Sequence, residues 1–280
     1  MHERARHTPK KSLGQNFLTT DTYARRLVEA AAIGPNDVVV EVGPGTGMVT
    51  RILLERALKV IAVEKDATLV PRLREECAAH VAQGTLSVVE DDILHFDPAA
   101  YGLGAGEYSI VGSLPYYITG IFFRTMLSLA RQPSRIAIII QKEVAERMVA
   151  KDGKESILSI SVKCYGNPRY IATIKAGAFY PRPKVDSAII LVEGISRDFF
   201  AGFSEEEFFR IVKAAFASKR KKMLGNLTIL FPRAELEVAF QMAGISPDAR
   251  AEDISVEAWK KLVNILTKDS VSSLGTGRSR

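Results

Sequence analysis

Cysteine is scarce in this chain, with Cys77 and Cys164 the only two among 280 residues. Two such thiols cannot build a disulfide scaffold, and they suit a reducing compartment. The four histidines stand singly and no ligand spacing of the zinc type is present, so no metal is expected. No apolar run reaches the roughly 18 residues that a membrane span requires, which leaves a membrane without a role. The opening stretch, Met1 to His7, is polar and charged where a secretory signal would be apolar. Internal repeats are missing too. These absences point to a soluble, cytoplasmic, monomeric protein. What is present is ordinary globular material, 47% hydrophobic and 25% charged, which excludes disorder as the main state. Lys plus Arg number 38 against 32 for Asp plus Glu, a net charge of +6 that favours a polyanionic partner.

Alternation organises the first two-thirds of the chain. Val38–Val42, Val60–Glu64, Leu86–Val89, Tyr108–Val111 and Ile136–Ile140 read as short buried strands. Helices are expected from an N-cap near Asp21, over Thr50–Arg56, Leu69–Ala79 and Ile121–Leu129. Strands alternating with helices predict a doubly wound α/β fold, a Rossmann-like and mostly parallel sheet. Beyond residue 141 the pattern changes. Val144–Val149 and Ile157–Cys164 read as helices. Tyr170–Ile174 and Ala188–Val192 read as a hairpin-like pair closing a sheet edge. From Gly194 strand signals stop, and Ser204 with Glu207 opens a helix carrying Phe208, Ile211, Val212, Ala215 and Phe216. Leu236–Met242 and Val256–Leu266 read as further helices. The expected division is a larger domain over 1–195 with a basic amino-terminal arm, a small all-helical domain over 196–268, and a disordered tail over 269–280.

The chemistry concentrates at strand ends. Glu41-Val-Gly43-Pro-Gly45-Thr-Gly47 follows a strand and opens a helix, a turn in which a ligand can approach bare backbone. Glu64 stands 21 residues after Gly43, where an acid accepts hydrogen bonds from ribose hydroxyls. A dinucleotide and S-adenosylmethionine compete for this geometry. The Gly-x-Gly-x-Gly spacing and the upstream carboxylate of Glu41 favour a cationic sulfonium and ammonium over pyrophosphate. Glu90-Asp91-Asp92 ends the third strand, and one acid there can receive an adenine amino group. After the fourth strand comes Ser113-Leu114-Pro115-Tyr116-Tyr117, with acceptors and a stacking face; a tight turn around a core tyrosine accounts for it equally well. Phe179, in Phe179-Tyr-Pro-Arg-Pro-Lys184, is either a core aromatic or a stacking lid over a flipped base.

Together these motifs resemble the ribosomal RNA adenine dimethyltransferase family, in its KsgA-like form that modifies the small subunit. The resemblance runs from about Lys10 to Leu266. It rests on Lys11-Ser-Leu-Gly-Gln-Asn-Phe-Leu18, Glu41–Gly47, Ser113-Leu-Pro-Tyr-Tyr-Ile-Thr119, Gln141-Lys-Glu143, Phe179–Ser187, Arg220-Lys221-Lys222 and Arg250–Val256. It implies S-adenosyl-L-methionine as cofactor, with Asn16 and Leu18 closing over it. Gly43, beside Gly45, would meet it through backbone, Glu64 would take its ribose and Asp92 its adenine. Leu114, Pro115 and Tyr116 would hold the target adenine, with Phe179 stacked on the other face. The implied substrate is two adjacent adenosines in a hairpin near the 3′ end of small-subunit rRNA, dimethylated on the immature subunit. The family usually has asparagine where this chain has Ser113, which keeps an acceptor oxygen but is shorter.

RNA affinity is expected from Arg4, Arg6, Lys10 and Lys11 on the arm and from Lys219, Arg220, Lys221 and Lys222. A solvated charged face is the plainer account of such runs. Three other readings stand beside the main one. The chain could be a non-catalytic RNA-binding assembly factor of the same fold, a methylase of large-subunit RNA conferring antibiotic resistance, or a small-molecule methyltransferase.

Overall fold

In the computed structural model the chain is described over residues 8–218 and 220–274, apart from the side chains of Lys11 and 269–274. The apolar runs become strands β1 (Phe17–Leu18), β2 (Val38–Val42), β3 (Lys59–Glu64), β4 (Leu86–Glu90), β5 (Tyr108–Ser113), β6 (Arg135–Gln141), β7 (Asn167–Ile174), β8 (Phe179–Tyr180) and β9 (Ser187–Glu193). Seven of them form one sheet in the order β4-β3-β2-β5-β6-β9-β7. The first five run parallel, and β9 and β7 close one side antiparallel. Successive residues of β3, β5 and β6 are buried, so the sheet is covered on both faces. The expected doubly wound sheet is therefore present, with its edge pair where the apolar pattern placed it.

Helices α1 (Asp21–Ala30), α2 (Met48–Leu54), α3 (Val70–Glu76), α4 (Ala78–Ala82) and α5 (Thr119–Ser128) accompany the parallel strands. Three details differ from expectation. Thr20 rather than Asp21 precedes α1, and Asp21 instead pairs with Arg25 one turn on, at 2.8 Å. Gly47, left-handed at φ +76°, starts α2 at Met48, earlier than Thr50. The single helix expected over 69–79 is broken at Cys77, whose φ and ψ of −114° and 27° leave the helical region.

The remaining helices are α6 (Lys142–Met148), α7 (Ile157–Lys163), α8 (Glu205–Ala215), α9 (Met223–Leu227), α10 (Arg233–Ala243) and α11 (Val256–Leu274). By contacts the described chain separates into two units, one running to Glu146 and including Asn167–Ile195, the other built of Arg147–Gly166 and the residues from Ser196 onward. The segment 147–166 thus groups with the C-terminal helices, not with the sheet. Its ties are explicit: Glu155 N–H donates to the Glu252 carbonyl at 2.7 Å, and Ser196 N–H to that of Tyr165 at 2.8 Å. Ser156 and Ser159 cap α7 reciprocally. In the helical unit Ser204 accepts the Glu207 N–H at 3.1 Å, and Phe208, Ile211, Val212 and Ala215 are buried as their spacing implies. Phe216, half-buried, stacks on the fully buried Trp259. The expected tail from 269 is helical through Leu274, because no Gly or Pro interrupts the chain before Gly275. Residues 275–280 lie outside the described residues. Among those described, no helix is long and apolar enough to cross a membrane.

Candidate active site

The strand order reverses direction between β2 and β5, and in such sheets ligands bind beyond the strand ends at that point. A cleft of about 850 Å³, counting its open mouth, lies there. It gathers residues from six places in the sequence: the amino-terminal segment 13–17, the glycine turn, the end of β3, the end of β4, the segment 113–118, and Phe179.

The glycine turn can come this close only because it lacks side chains. Gly43 and Gly45 hold left-handed φ values of +61° and +57°. A Cβ at Gly43 would stand 3.0 Å from the Ser113 carbonyl, and one at Gly45 would stand 2.8 Å from the Phe17 ring. The turn is tied down by Gly43 N–H to the Val63 carbonyl (3.0 Å) and by Gly45 N–H to Glu64 Oε2 (3.0 Å). Glu64 Oε1 accepts the Asp66 N–H at 2.8 Å. Burial raises the Glu64 carboxyl above its ordinary value, and those two backbone donors offset the rise only in part. Two of its roughly four acceptor positions are thereby used, leaving others toward the cleft.

Asp92 caps the turn after β4 by accepting the Leu94 N–H (3.0 Å) and pairs with Lys65 Nζ at 2.7 Å. Burial alone would raise its carboxyl, but the Lys65 and Leu94 donors outweigh it and leave it below the usual range. Ser113 closes β5. Leu114 follows it, nearly buried and donating its N–H to the Ile139 carbonyl at 3.3 Å. The Tyr116 hydroxyl lies 2.8 Å from Ser187 Oγ, which holds its ring at the cleft, and burial raises its pKa so that it stays protonated. Phe179 is 4% exposed and belongs to the hydrophobic core while also lining the cleft. Fixed in β8 opposite Leu18, it is a wall of the site and not a movable lid.

Of the residues expected to form the site, Asn16, Gly43, Gly45, Glu64, Asp92, Ser113, Leu114, Pro115, Tyr116 and Phe179 line this one cleft. Leu18 and Glu41 do not. Leu18 packs on the core beside β8. The Glu41 carboxyl is fully buried next to Thr50 of α2, without a well-formed hydrogen bond. Register explains this: Glu41 is level with Ala62 and Val111, two residues short of the cleft-lining Glu64 and Ser113 on the same face, so its side chain lies deeper in the sheet. Burial pushes its carboxyl up to about 8, which leaves it protonated and without charge for a sulfonium at neutral pH. Asp91 and Tyr117, from the acidic run and the loop singled out in the sequence, line the cleft as well, and so do Gln15, Phe17 and Lys65, which were not among the expected site residues. Lys65 directly adjoins an expected acid, the one signal that could have found it.

The basic residues fare differently. Lys10 is bound to Asp66 at 2.6 Å, and Lys222 is paired with Asp248, so neither cation stands alone for phosphate. Arg220 and Lys221 are exposed. Arg4, Arg6, Lys219 and the Lys11 side chain lie outside the described residues.

Comparison with known proteins agrees with this geometry. A family model for ribosomal RNA adenine dimethylase matches residues 6–268. A ribosomal RNA small subunit methyltransferase A from Dehalococcoides mccartyi is 39% identical over 263 residues, covering 93% of this chain and 89% of the relative. The solved 23S rRNA methyltransferase ErmE superposes with a TM-score of 0.73 at 27% identity, covering 90% of this chain and 99% of its own. A Plasmodium falciparum dimethyladenosine transferase shares the fold, with a TM-score of 0.77 at 22% identity and coverage of 91% and 98%. With a family model spanning nearly its whole length and a curated relative this similar, the chain belongs to the ribosomal RNA adenine dimethylase family.

Proposed function

We propose that this protein transfers methyl groups from S-adenosylmethionine to the exocyclic N6 of two adjacent adenosines in the 3′-terminal hairpin of small-subunit rRNA, acting on the immature subunit in the cytoplasm. One observation carries the reading: a single cleft joins the glycine turn, Glu64 and Asp92 to Ser113–Tyr116 and Phe179 in a member of this family. The donor fits what the residues offer. Side-chain-free backbone at Gly43 and Gly45 admits close approach, and two acids stand where ribose and adenine donors would meet them.

S-adenosylmethionine supplies, when bound, an electrophilic methyl on a sulfonium. The chain's own contribution is placement. Ser113 Oγ and the Leu114 carbonyl accept the two hydrogens of the adenine amine. This draws them out of the ring plane and localises a lone pair otherwise delocalised into the base. The proton released on transfer passes to water, so no general base is needed. Tyr116 and Phe179 flank the extruded base, which must leave its stack to reach the cleft. Asn16, Gly43, Gly45, Glu64 and Asp92 hold the donor. The helical residues 196–268 provide RNA contact, with Arg220 and Lys221 its exposed cations.

The likeness to ErmE favours one other reading, methylation of large-subunit RNA. Incubating the protein with labelled donor and methylation-deficient small or large subunits, then mapping modified adenosines, separates the two. Label in two neighbouring adenosines of the small subunit is the expected result. Label only in the large subunit, or none in either, overturns the proposal.

A further inference from the structure

Asp66 lies two residues past Glu64 and does not itself line the cleft, yet its side chain is wholly buried and fully occupied. Its Oδ1 accepts Lys10 Nζ (2.6 Å), Thr68 Oγ1 (2.6 Å) and Thr68 N–H (3.0 Å), and its Oδ2 accepts Gln15 Nε2 (2.6 Å). The other end of the Gln15 amide accepts the Lys10 N–H at 2.7 Å. Burial works against this carboxylate, but its donors prevail and hold it well below the usual range, so it is charged at any working pH.

The partners decide what this means. Lys10 and Gln15 bracket a segment whose residues 13–17 form one wall of the cleft. Beyond Gln15 the segment is pinned twice more: the Phe17 ring sits against Gly45, and β1 pairs with β8, placing Phe17 opposite Tyr180 and Leu18 opposite Phe179. Beside the Asp66 ties, residues 10–15 hold the Lys10 Nζ to Thr68 Oγ1 bond of 3.3 Å, the approach of Gly14 to Pro115 and Tyr117, and local contacts such as the Leu13 N–H to Lys10 carbonyl bond of 3.1 Å. The same residue reaches the donor side as well, since its backbone N–H is one of the two donors that fix Glu64.

We propose that Asp66 is a positioning residue that latches the segment 10–17 across the donor half of the cleft, and that this latch sets affinity for the methyl donor. The inference rests on the function proposed above. Neither Asp66 nor Lys10 lines the cleft, so neither acts by touching the donor.

The test uses the full chain and calorimetric binding of S-adenosylhomocysteine, with steady-state rates alongside. Asp66→Ala is expected to weaken binding at least tenfold and to raise KM for the donor by a similar factor. Its kcat at saturating donor should stay within threefold. Lys10→Met should weaken binding severalfold alone and add nothing in the Asp66→Ala background, because both break one latch. Wild-type affinity in Asp66→Ala, full additivity of the two changes, or loss of kcat with affinity intact each overturns the latch. Should Asp66→Ala not fold, Lys10→Met alone decides: unchanged affinity overturns the proposal and a severalfold loss supports it. If the wild-type chain binds no S-adenosylhomocysteine, the proposed function fails together with the latch. If wild type and variants bind equally well, only the latch fails.

Discussion

Glu64 and Ser113 are the last residues of β3 and β5, whereas Glu41 stands one short of the end of β2, the strand between them. In register Glu41 is level with Ala62 and Val111, two residues short of Glu64 and Ser113 on the same face, and that depth separates a site from a core. At the last position a side chain faces the crevice, where Glu64 holds the glycine turn by a backbone hydrogen bond and keeps acceptor capacity open. One pleat deeper on the same face the side chain packs under α2, and the same carboxyl becomes a protonated, uncharged group beside Thr50. An acid near a glycine turn is therefore not a cofactor ligand by proximity in sequence. Its depth along the strand, set by the sheet register, decides.

The sharpest test of the strand-end side is Ser113. If its hydroxyl accepts an amine hydrogen in the transition state, Ser113→Ala should lower the single-turnover methylation rate about 10²–10³-fold, the usual cost of one such electrostatic contact. Affinity for S-adenosylhomocysteine should hold. Ser113→Asn, which restores the residue usual in the family, should retain activity. A Ser113→Ala variant working at the wild-type rate would remove the strand-end acceptor from the mechanism.

Glu64 comes next. Glu64→Gln keeps the shape but loses the charge, and hydrogen bonds to charged groups are worth about 1.5–3 kcal/mol, roughly 10–150-fold in affinity. Calorimetry with S-adenosylhomocysteine should show a loss in that range, mostly as donor KM and little as kcat. Undiminished binding would place the ribose elsewhere.

How far these features were legible follows from their range along the chain. The glycine turn, the acid one βα unit later and the segment after β5 are local signals at strand ends, and all converge on one cleft. The place of Glu41 outside the cleft was not legible, because its depth relative to Glu64 and Ser113 depends on the pairing with β3 and β5, which no local pattern encodes. Lys10 was read as an RNA contact because its acceptor, Asp66, stands 56 residues away and nothing local announces it. The pairing of Lys222 with Asp248 was hidden for the same reason, its partner being 26 residues on. The grouping of α7 with the C-terminal helices rests on bonds such as Glu155 to Glu252, which no local pattern encodes. Charge runs are the weakest guide here, since a cation's role depends on which distant acid reaches it.

Glu41 gives the smallest functional effect and the cleanest contrast. Glu41→Gln should leave donor affinity within about threefold of wild type, because the carboxyl is outside the cleft and already neutral. The effect should appear in stability instead. In the folded chain burial holds this proton up to about pH 8, against an ordinary value of 4.5. Below about pH 4.5 both folded and unfolded chains carry the proton, and the advantage of a neutral buried group is fully present. As pH rises from there, the unfolded chain gives up the proton and the folded one keeps it, so this contribution falls by up to about 1.4 kcal/mol per pH unit until pH passes about 8. Urea midpoints of the wild type should therefore drop between pH 6 and pH 9 relative to those of Glu41→Gln, which has no proton to lose. Parallel pH profiles would mean that Glu41 is ionised in the fold. A loss of donor affinity as large as that of Glu64→Gln would return it to the cofactor site and erase the difference between the two strand positions.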